Sequence, residues 1–245
     1  MSCSGSTTCG MTDPKTFDAI GKVPLRYGSP GAYVRKDVRA ERAFYQELVD
    51  WLATLRYFAS TYGPNALSTV EWIGHAGAYV CKPGCHGRGR AIDLNRVQWN
   101  GAAANMFAGD HASSERKVRR RYLAVDAACR KHFRYTLDGW YNAQHENHIH
   151  VDTHATPILD KGSVSDTGFV QAVCNNFNGA GLAVDGRWGS STQAAFRDLN
   201  DTWGYGGCDP FSSRGAYADW LNFVMAHGFA DAPASDAVFR SFLCS

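Results

Sequence analysis

Apolar residues recur with a helical period in two long stretches of the chain. Between residues 37 and 62 large apolar side chains follow one another at steps of three and four, and Gly63-Pro64 then ends the pattern. Residues 114–133 also have the pattern of a helix. We therefore predict two long helices, and we expect the aromatic stripe of the first to lie in a core.

Apolar runs at residues 69–81, 90–98 and 140–151 predict strands. Lys82-Pro83-Gly84-Cys85 predicts a turn between the first two. Residues 1–36 are rich in Gly, Ser, Thr and Pro, which is typical of an irregular segment. Helices followed by short strands favour an α+β unit in which helices flank a small antiparallel sheet.

The pattern changes beyond a turn-rich linker at residues 157–165. Short helices are predicted at residues 169–177, 192–199 and 216–227, and Ser190-Ser191-Thr192 supplies candidate N-caps for the second. We expect an irregular N-terminal segment (1–36), a main domain (37–160) and a small three-helix domain (161–245).

Composition excludes several classes of protein. Hydrophobic residues make up 44% of the 245 residues and charged residues 20%, as in ordinary globular domains, so the chain is not predicted to be disordered. No apolar run approaches the ~18 residues of a membrane span. The net charge of +2 argues against a protein that mainly holds nucleic acid.

The charge is divided unevenly along the chain. Residues 163–245 carry four Arg, no Lys, eight Asp and no Glu, a net charge of −4, so residues 1–162 carry +6. The basic part suits an anionic polymer such as a bacterial wall, or it is a solvated surface; both interpretations stay open. In the basic run Arg116–Arg121 no aromatic residues are interleaved, so a solvated helix face is favoured over nucleic-acid binding.

The cysteines indicate an oxidising compartment. There are eight, an even number, and no C-x-x-C pair is present, which favours disulfides over a zinc ribbon. If all eight pair, at least one bridge crosses residue 163. For Cys85 a short-loop disulfide, with Cys81 as candidate partner, is favoured over metal ligation. We expect a secreted protein, extracellular or periplasmic, although residues 1–9 lack the apolar region of a signal peptide.

Two segments carry candidate chemistry. His86 ends a turn and Asp93 lies in the next strand, so they converge if the chain folds over the Gly-rich segment between them. In the second segment Glu146, His148 and His150 share one face of a strand if side chains alternate. Two imidazoles and one carboxylate suffice for a three-ligand zinc site with a fourth position open to water. Each segment alone is a weak signal, and the prediction rests on their conjunction.

The two segments together resemble the metallopeptidase superfamily of lysostaphin-type peptidases, zinc D-Ala-D-Ala carboxypeptidases and hedgehog domains. The pattern is His86-x-x-Gly89-x-Ala91-x-Asp93 followed by His148-x-His150. A finer resemblance, to the extensin-like C-terminal type, rests on Tyr79-x-Cys81-Lys82 and on Asn142-Ala143-x-His145-x-x-His148-x-His150-x-Asp152. It covers residues 40–155.

The resemblance implies zinc (Zn2+) ligands at His86, Asp93 and His150. It implies that His148 lies beside the metal and activates water or stabilises the developing oxyanion. His145, Asp152 and His154 are expected to support the site or the fold.

At two positions the sequence departs from the family. Asn147 stands where several relatives have a catalytic Glu. His148 is therefore favoured as the base over Glu146, which strand spacing would put about 13 Å from His150. Lys82 replaces the family's Arg and has no bidentate fork, and together with Arg88 and Arg90 it is a candidate for binding substrate.

Residues 169–196 resemble the peptidoglycan-binding three-helix domain. Its mark is a loop that here reads Val184-Asp185-Gly186-x-x-Gly189-x-x-Thr192, ahead of an apolar helix. The glycines allow a tight loop and the hydroxyl is expected to cap the helix. Trp188 is favoured as a core residue over one that stacks on glycan.

The two resemblances predict a secreted, monomeric zinc peptidase. It would hydrolyse peptide bonds of bacterial peptidoglycan, as a D-Ala-D-Ala-type carboxypeptidase or an endopeptidase, and its C-terminal domain would hold it on the wall. A phage-type endolysin or a toxin against competitors would share this chemistry. The alternative from another class is a non-catalytic zinc-containing module that binds the wall or a protein.

Overall fold

The computed structural model describes residue 3 and residues 9–153, 155–205 and 209–230, and these form an α+β fold. The helices are α1 (Arg42–Tyr62), α2 (Arg116–His132), α3 (Val164–Asn178), α4 (Ser190–Thr202) and α5 (Arg214–Phe229). The strands are β1 (Pro14–Phe17), β2 (Ala19–Ile20), β3 (Val23–Tyr27), β4 (Val34–Arg35), β5 (Val38–Glu41), β6 (Val70–Gly77), β7 (Ala91–Trp99), β8 (Ala102–Asn105), β9 (Tyr135–Leu137) and β10 (Ile149–Asp152). Within this part of the chain no helix has the length and apolar character needed to cross a membrane.

Eight of the strands form one sheet, in the order β2-β3-β6-β7-β10-β9, with β4 beside β3 and β8 beside β7. β3 and β6 run parallel and the other neighbours antiparallel. β1 and β5 form a separate antiparallel pair. The predicted helices and strands between residues 42 and 133 are confirmed, but residues 38–41, predicted as the start of the first helix, form β5. The sheet is mixed and larger than the small antiparallel sheet we predicted.

β7 shows why the site lies where it does. Side chains of a strand alternate between its two faces. Ile92 and Leu94 are fully buried in the hydrophobic core, so Asp93 points to the opposite face, where it is only partly covered. β10 pairs with β7 in a register that sets His150 directly opposite Asp93. The apolar pattern of two neighbouring strands thus fixes the position of two site residues.

The prediction of an irregular segment over residues 1–36 is wrong for residues 14–35, which contain β1 to β4. The strands have between two and five residues, and Gly21 and Gly28 with positive φ lie between them. Runs this short carry too little alternation to be recognised. Some side chains of these strands are nevertheless fully buried: Ile20 and Leu25 have no exposed surface.

The strand predicted over residues 140–151 is also wrong in its bounds. β10 begins only at Ile149, and a 3-10 turn at Ala143–His145 precedes it. The Asn142 side chain accepts a hydrogen bond from the Gln144 backbone N–H at 3.0 Å, which favours a turn over an extended chain. Glu146 has helical backbone angles, so the alternation assumed for residues 146–150 does not apply before Ile149.

Three helices follow residue 163, as predicted, and they share one hydrophobic core with the rest of the fold. Phe169 of α3 and Trp220 of α5 belong to the same buried cluster as Trp51 of α1 and Trp99 of β7. α5 approaches α2 so closely that a Cβ on Gly228 would lie 2.7 Å from the Ala124 side chain. The domain boundary at residue 160 stays a prediction.

The basic run of α2 faces α3. The guanidinium groups of Arg116 and Arg120 donate to the backbone carbonyl of Asn176, at 2.6 and 3.0 Å, and Arg119 donates to the Asn176 side chain at 2.6 Å. Arg121 donates to the Ala103 carbonyl at 3.0 Å. These arginines therefore hold the helix against its neighbours. The predicted solvated face is wrong for Arg119, Arg120 and Arg121, which are half-buried, whereas Arg116 is exposed.

The cap predicted for α4 also differs. The residue before the helix is Gly189, and no side chain caps its first turn. Thr192 is buried instead, and its hydroxyl receives a hydrogen bond from Gln171 at 3.1 Å. Gln171 also bonds Asp185 and Gly186, so it holds the loop from the inside. Trp188 packs against Phe196 and Phe211, which agrees with the favoured role in the core.

Among the described residues there are two disulfides, Cys3–Cys85 and Cys9–Cys81. The suggested Cys81–Cys85 bridge is therefore wrong, and Cys85 is not a metal ligand. Cys129 and Cys174 are free buried thiols, so the eight cysteines do not all pair. Cys208 and Cys244 lie outside the described residues. Two disulfides, together with the absence of a membrane-spanning helix among the described residues, are compatible with a secreted protein.

Candidate metal centre

Three side chains from separate parts of the sheet region meet at one point. His86 Nε2 lies 3.2 Å from His150 Nδ1 and 3.2 Å from Asp93 Oδ1, and His150 Nδ1 lies 2.9 Å from Asp93 Oδ1. Of the described residues, these three are the group whose ligand atoms could hold a metal ion. They are the three ligands predicted from the sequence, so the structure brings that set together.

His86 is carried by a short 3-10 turn, His86–Arg88, between β6 and β7. The turn is possible because the next residue has no side chain: a Cβ on Gly87 would overlap the Lys82 carbonyl oxygen. Gly89 has φ +64° and lies against Met11 and the backbone of Glu41. Both disulfides attach this segment to the N-terminal residues. The Gly-rich stretch therefore folds over as predicted and is held in place covalently.

Each histidine of the group is fixed by a partner on its other ring nitrogen. His86 Nδ1 lies 2.5 Å from the Ala78 carbonyl oxygen, which can only accept, so Nδ1 carries the proton. His150 Nε2 lies 3.3 Å from Asp152 Oδ2. Metal-binding histidines almost always have such an outer hydrogen-bond acceptor, which fixes the tautomer and the ring orientation. The nitrogens that face inward, His86 Nε2 and His150 Nδ1, are then the ones left to bind a cation.

The three atoms that face one another in this group require a positive charge between them. With Nδ1 protonated, His86 presents a lone pair to an Asp93 oxygen 3.2 Å away, and His150 Nδ1 faces the same point. Two ligand atoms bound about 2.05 Å from a tetrahedral ion are about 3.3 Å apart, close to the separations seen here. A proton on His150 or a divalent metal ion would each satisfy the group.

The electrostatics of the group are consistent with this requirement. Burial opposes ionisation of Asp93, but the hydrogen bond from His150 and the short contact with His86 outweigh it and lower the pKa of Asp93 well below its usual range. Burial likewise opposes the charge on His150, but the hydrogen bonds to Asp152 and Asp93 raise the pKa of His150 to about 9. Without a metal, the site therefore binds a proton tightly, and a metal must displace it.

His148 lies beside the three ligands. Its Nε2 is 3.7 Å from Asp93 Oδ1, and its Nδ1 is 2.8 Å from the side-chain oxygen of Asn147. Burial lowers the pKa of His148, although the nearby Asp93 charge opposes that shift. The imidazole is therefore neutral at pH 7. Because Asn147 accepts the Nδ1 proton, the Nε2 lone pair faces the metal group.

Glu146 is not brought to the three ligands. With Asn147 it borders an open groove of about 710 Å³ whose other wall is residues 107–114. Burial lowers the pKa of His111 in that wall, and the charges of Asp138 and Glu146 oppose this shift. Glu146 therefore lies nearer to the groove than to the point where the ligands meet.

The three predicted substrate-binding cations are all close in sequence to His86, but they differ in position. Lys82 is exposed. Its charge contributes to the lowered pKa of His148, so the two side chains lie near each other. Arg88 and Arg90 are half-buried, and their backbone N–H groups both bond to the Cys85 carbonyl. The His145 ring contacts the His148 ring at a tilt, with the centroids 5.0 Å apart, and His154 lies outside the described residues.

The sequence leaves three supporting contacts undefined. The sequence predicts only a supporting role for Asp152. Its contact with His150 could have been predicted, because Asp152 lies two residues after His150 on β10. Asn147 was noted only for the missing Glu, whereas its side chain orients His148. The Ala78 carbonyl has no sequence signal at all, because any residue would supply that oxygen.

Comparison with known families gives one match. The model of the family described as extensin-like protein C-terminus matches residues 3–159. Neither the curated proteins nor the solved structures yield a match. The family match spans well over half of the chain and includes all three residues of the metal group, so the chain belongs to the extensin-like protein C-terminus family.

Proposed function

We propose that the protein is a zinc metallopeptidase that hydrolyses peptide bonds of bacterial peptidoglycan. The observation that carries the proposal is the convergence of His86 Nε2, Asp93 Oδ1 and His150 Nδ1 within 3.2 Å of one another. Two imidazoles and a carboxylate, with one coordination position left for water, are typical of catalytic rather than structural zinc.

The donor set fits zinc better than a hard cation, since magnesium and calcium prefer oxygen ligands alone. When bound, zinc would lower the pKa of a water molecule to about 7 and polarise the scissile carbonyl. His86, Asp93 and His150 would hold the ion. Asp152 and the Ala78 carbonyl would keep the two rings in their binding orientation.

His148 is the proposed general base. Its pKa is lowered, so the ring is neutral at pH 7, and its Nε2 faces the metal group. It would take the proton from the attacking water at Nε2 and return it to the leaving amine. Glu146 is the weaker candidate, because it lies at the groove. That groove, lined by residues 107–114, has a volume of about 710 Å³.

The test is digestion of purified peptidoglycan of several chemotypes, followed by mass spectrometry of the released peptides. We expect a product that disappears with a chelator, returns with zinc, and identifies the bond that is cut. Asp93→Asn should abolish both the product and the bound zinc. Asp50→Asn, the same change at an exposed position of α1, is the matched control and should retain both.

The alternative is a non-catalytic zinc module that binds the wall or a protein. It predicts one tightly held zinc per chain and retention on wall material, with no released peptide on any chemotype. That result would overturn the peptidase proposal while leaving the metal site intact. Absence of stoichiometric zinc in the purified protein would overturn both.

We propose further that the protein acts outside the cytoplasm and that helices α3 to α5 contribute to wall binding. The two disulfides support the first point, since such bridges persist in oxidising compartments. The exposed loop around Asp185 and Arg187 supports the second, through its similarity to wall-binding loops. Co-sedimentation with walls, compared between the protein and Arg187→Ala, tests the contribution of that loop.

A further inference from the structure

The three proposed metal ligands differ in how the fold holds them. Asp93 and His150 lie on β7 and β10, which pair with each other and with further strands of the sheet. His86 lies on the connection between β6 and β7, residues 78–90, which we call the His86 loop. One 3-10 turn is the regular element of this loop. The position of His86 therefore depends on contacts of the loop with other segments, whereas strand pairing fixes the other two ligands.

One of these segments is an N-terminal strap, residues 9–13, which lies across the loop. The Gly10 N–H donates a hydrogen bond to the Gly87 carbonyl at 2.8 Å. Further along, the strap is held by the buried carboxylate of Glu41, which accepts hydrogen bonds from two backbone N–H groups of the strap. The strap thus connects the residue next to His86 with the start of α1.

Two disulfides join the N-terminal residues to the His86 loop, and they differ in exposure. Cys9 and Cys81 are both exposed. Cys3 and Cys85 are only 2% and 8% exposed, and they form a small buried cluster with Ala91 of β7. Thiol–disulfide exchange requires access to a sulfur atom, and exposed bridges are the ones that thiols reduce readily. The Cys9–Cys81 bridge is therefore open to reduction, and the Cys3–Cys85 bridge is shielded from it.

We propose that the Cys9–Cys81 bridge is a redox-sensitive latch on the metal centre. Two molecules of a small thiol open it by exchange: the Cys9–Cys81 S–S bond breaks, the S–S bond of the oxidised thiol forms, and the two thiol protons pass to Cys9 and Cys81. The strap then loses its covalent hold on one end of the His86 loop. The shielded Cys3–Cys85 bridge keeps the N-terminal residues attached, so the oxidised thiol can close the latch again by the reverse exchange.

The consequence for activity rests on the proposed function and adds a form of regulation to it. With the latch open, His86 is free to move away from Asp93 and His150, so the protein holds zinc more weakly. Small thiols keep the latch open in a reducing compartment such as the cytoplasm, and an oxidising compartment closes it. The peptidase would thus become active only after it has left the cytoplasm.

The first test follows the bridges without metal or substrate. The full chain, stripped of metal, is equilibrated in glutathione buffers of increasing reducing strength and quenched with iodoacetamide. Mass spectrometry then maps which cysteines are alkylated and separates the bridge cysteines from the two free buried thiols. We expect Cys9 and Cys81 to be alkylated in buffers at least about tenfold less reducing than those that Cys3 and Cys85 require.

Hydrogen exchange of the same samples reports how firmly the His86 loop is held. In buffers that open the Cys9–Cys81 bridge alone, the amides of residues 86–90 should exchange about tenfold faster or more, because local opening sets their exchange rate. Residues 44–58 of α1 should exchange as in the oxidised protein, which shows that the chain stays folded. Cys9→Ser/Cys81→Ser is the matched control: its loop should exchange fast in every buffer and should not respond to glutathione.

Three results would overturn the latch. The first is opening of both bridges in the same buffers, and the second is opening of the Cys9–Cys81 bridge without faster exchange in the loop. The third is a glutathione response of the loop that persists in Cys9→Ser/Cys81→Ser. None of these readouts involves zinc or wall material, so they judge the latch whether or not the protein proves to be a peptidase.

A second test measures the link between the latch and the metal centre. The quenched samples are freed of glutathione, which itself binds zinc, and are titrated with zinc in competition with a chromophoric chelator. We expect the protein with an open latch to bind zinc about 10–100-fold more weakly than the oxidised protein, the range typical of lost supporting contacts at metal sites. Equal affinities would overturn this link. Absence of zinc binding by the oxidised protein would instead refute the metal centre, and loop exchange would still decide on the latch.

Discussion

Asn147 and His148 show how one substitution at a family position can be accommodated. Asn147 cannot act as the acid that several relatives have there, but its side-chain oxygen accepts the His148 Nδ1 proton at 2.8 Å. This contact fixes the tautomer that leaves Nε2 as the proton acceptor. The residue at the Glu position would thus position the base instead of serving as one.

Asn147→Ala tests this assignment. Losing the acceptor frees the His148 ring, so we expect kcat on a released-peptide assay to fall by about 10–100-fold, the range typical of supporting partners at metal sites. KM and zinc content should remain as in the parent. Asn147→Asp keeps the acceptor oxygen and should recover most of the loss. A kcat unchanged in Asn147→Ala would show that Asn147 has no positioning role.

His75 makes a prediction about stability that is independent of catalysis. Burial lowers the pKa of His75 to about 4, although the Asp93 charge opposes the shift, whereas an unfolded histidine titrates near 6.5. The unfolded state therefore binds the proton first. Stability from the neutral ring is fully present above pH ~6.5 and is lost as the pH falls from there towards 4.

Between pH 7 and pH 5 this loss amounts to about 2 kcal/mol of unfolding free energy. Urea unfolding of the metal-free protein and of His75→Gln at both pH values measures it, because other titrating groups contribute equally to the two proteins. The parent should lose about 2 kcal/mol more than the variant on acidification. Equal losses in the two proteins would mean that His75 is not protected from protonation.

At the scale of elements, the segment that carries His86 has no regular structure of its own beyond one 3-10 turn. Cys81 and Cys85 on this segment are bridged to Cys9 and Cys3, 72 and 82 residues away in sequence. Bridges that close loops this long restrict the unfolded chain strongly, by about 4 kcal/mol each in the chain-entropy treatment. They also restrict how far His86 can move from Asp93.

Removing the Cys9–Cys81 bridge with Cys9→Ser/Cys81→Ser should therefore lower both stability and metal affinity. We expect a loss of about 2–5 kcal/mol in unfolding free energy and a weaker zinc affinity in a competition titration with a chromophoric chelator. Cys174→Ala, which removes a free buried thiol and no bridge, should bind zinc like the parent. Parental zinc affinity in the double variant would show that the bridge does not hold the ligand segment.

The elements also show where prediction from sequence works. α1 and α2 have 21 and 17 residues, long enough for a helical period to be evident, and β7 carries an apolar run of ordinary strand length. The ligands His86, Asp93 and His150 are implied by the resemblance of their two motifs to a known family. The strands within residues 14–35 are not predicted from the sequence, because they are very short and are stabilised by pairing with strands that are distant in sequence. β3, for example, pairs with β6 across nearly 50 positions of sequence, and no local pattern records that.

At the scale of the whole molecule, a buried ionic network joins the C-terminal helices to the fold that carries the site. Arg130 of α2 contacts Asp126 on its own helix at 2.9 Å, Asp138 after β9 at 2.8 Å and Asp166 of α3 at 2.9 Å. None of these side chains is more than 5% exposed. The Arg130 guanidinium also lies 4.4 Å from the centre of the Phe169 ring. The contact of α3 with α2 is therefore both ionic and hydrophobic.

Arg130→Met should consequently destabilise the whole chain. It would leave the buried Asp126 and Asp138 without a cation and Asp166 with Arg134 alone, and breaking a buried charge network in this way costs about 3–5 kcal/mol. Arg56→Met, at an exposed position of α1, is the matched control and should change the unfolding free energy by less than about 0.5 kcal/mol. If residues 161–245 form an independently stable domain, urea unfolding of Arg130→Met should resolve into two transitions. A single transition shifted to lower urea, with zinc released in step, would instead show that the helices and the metal centre fold as one unit.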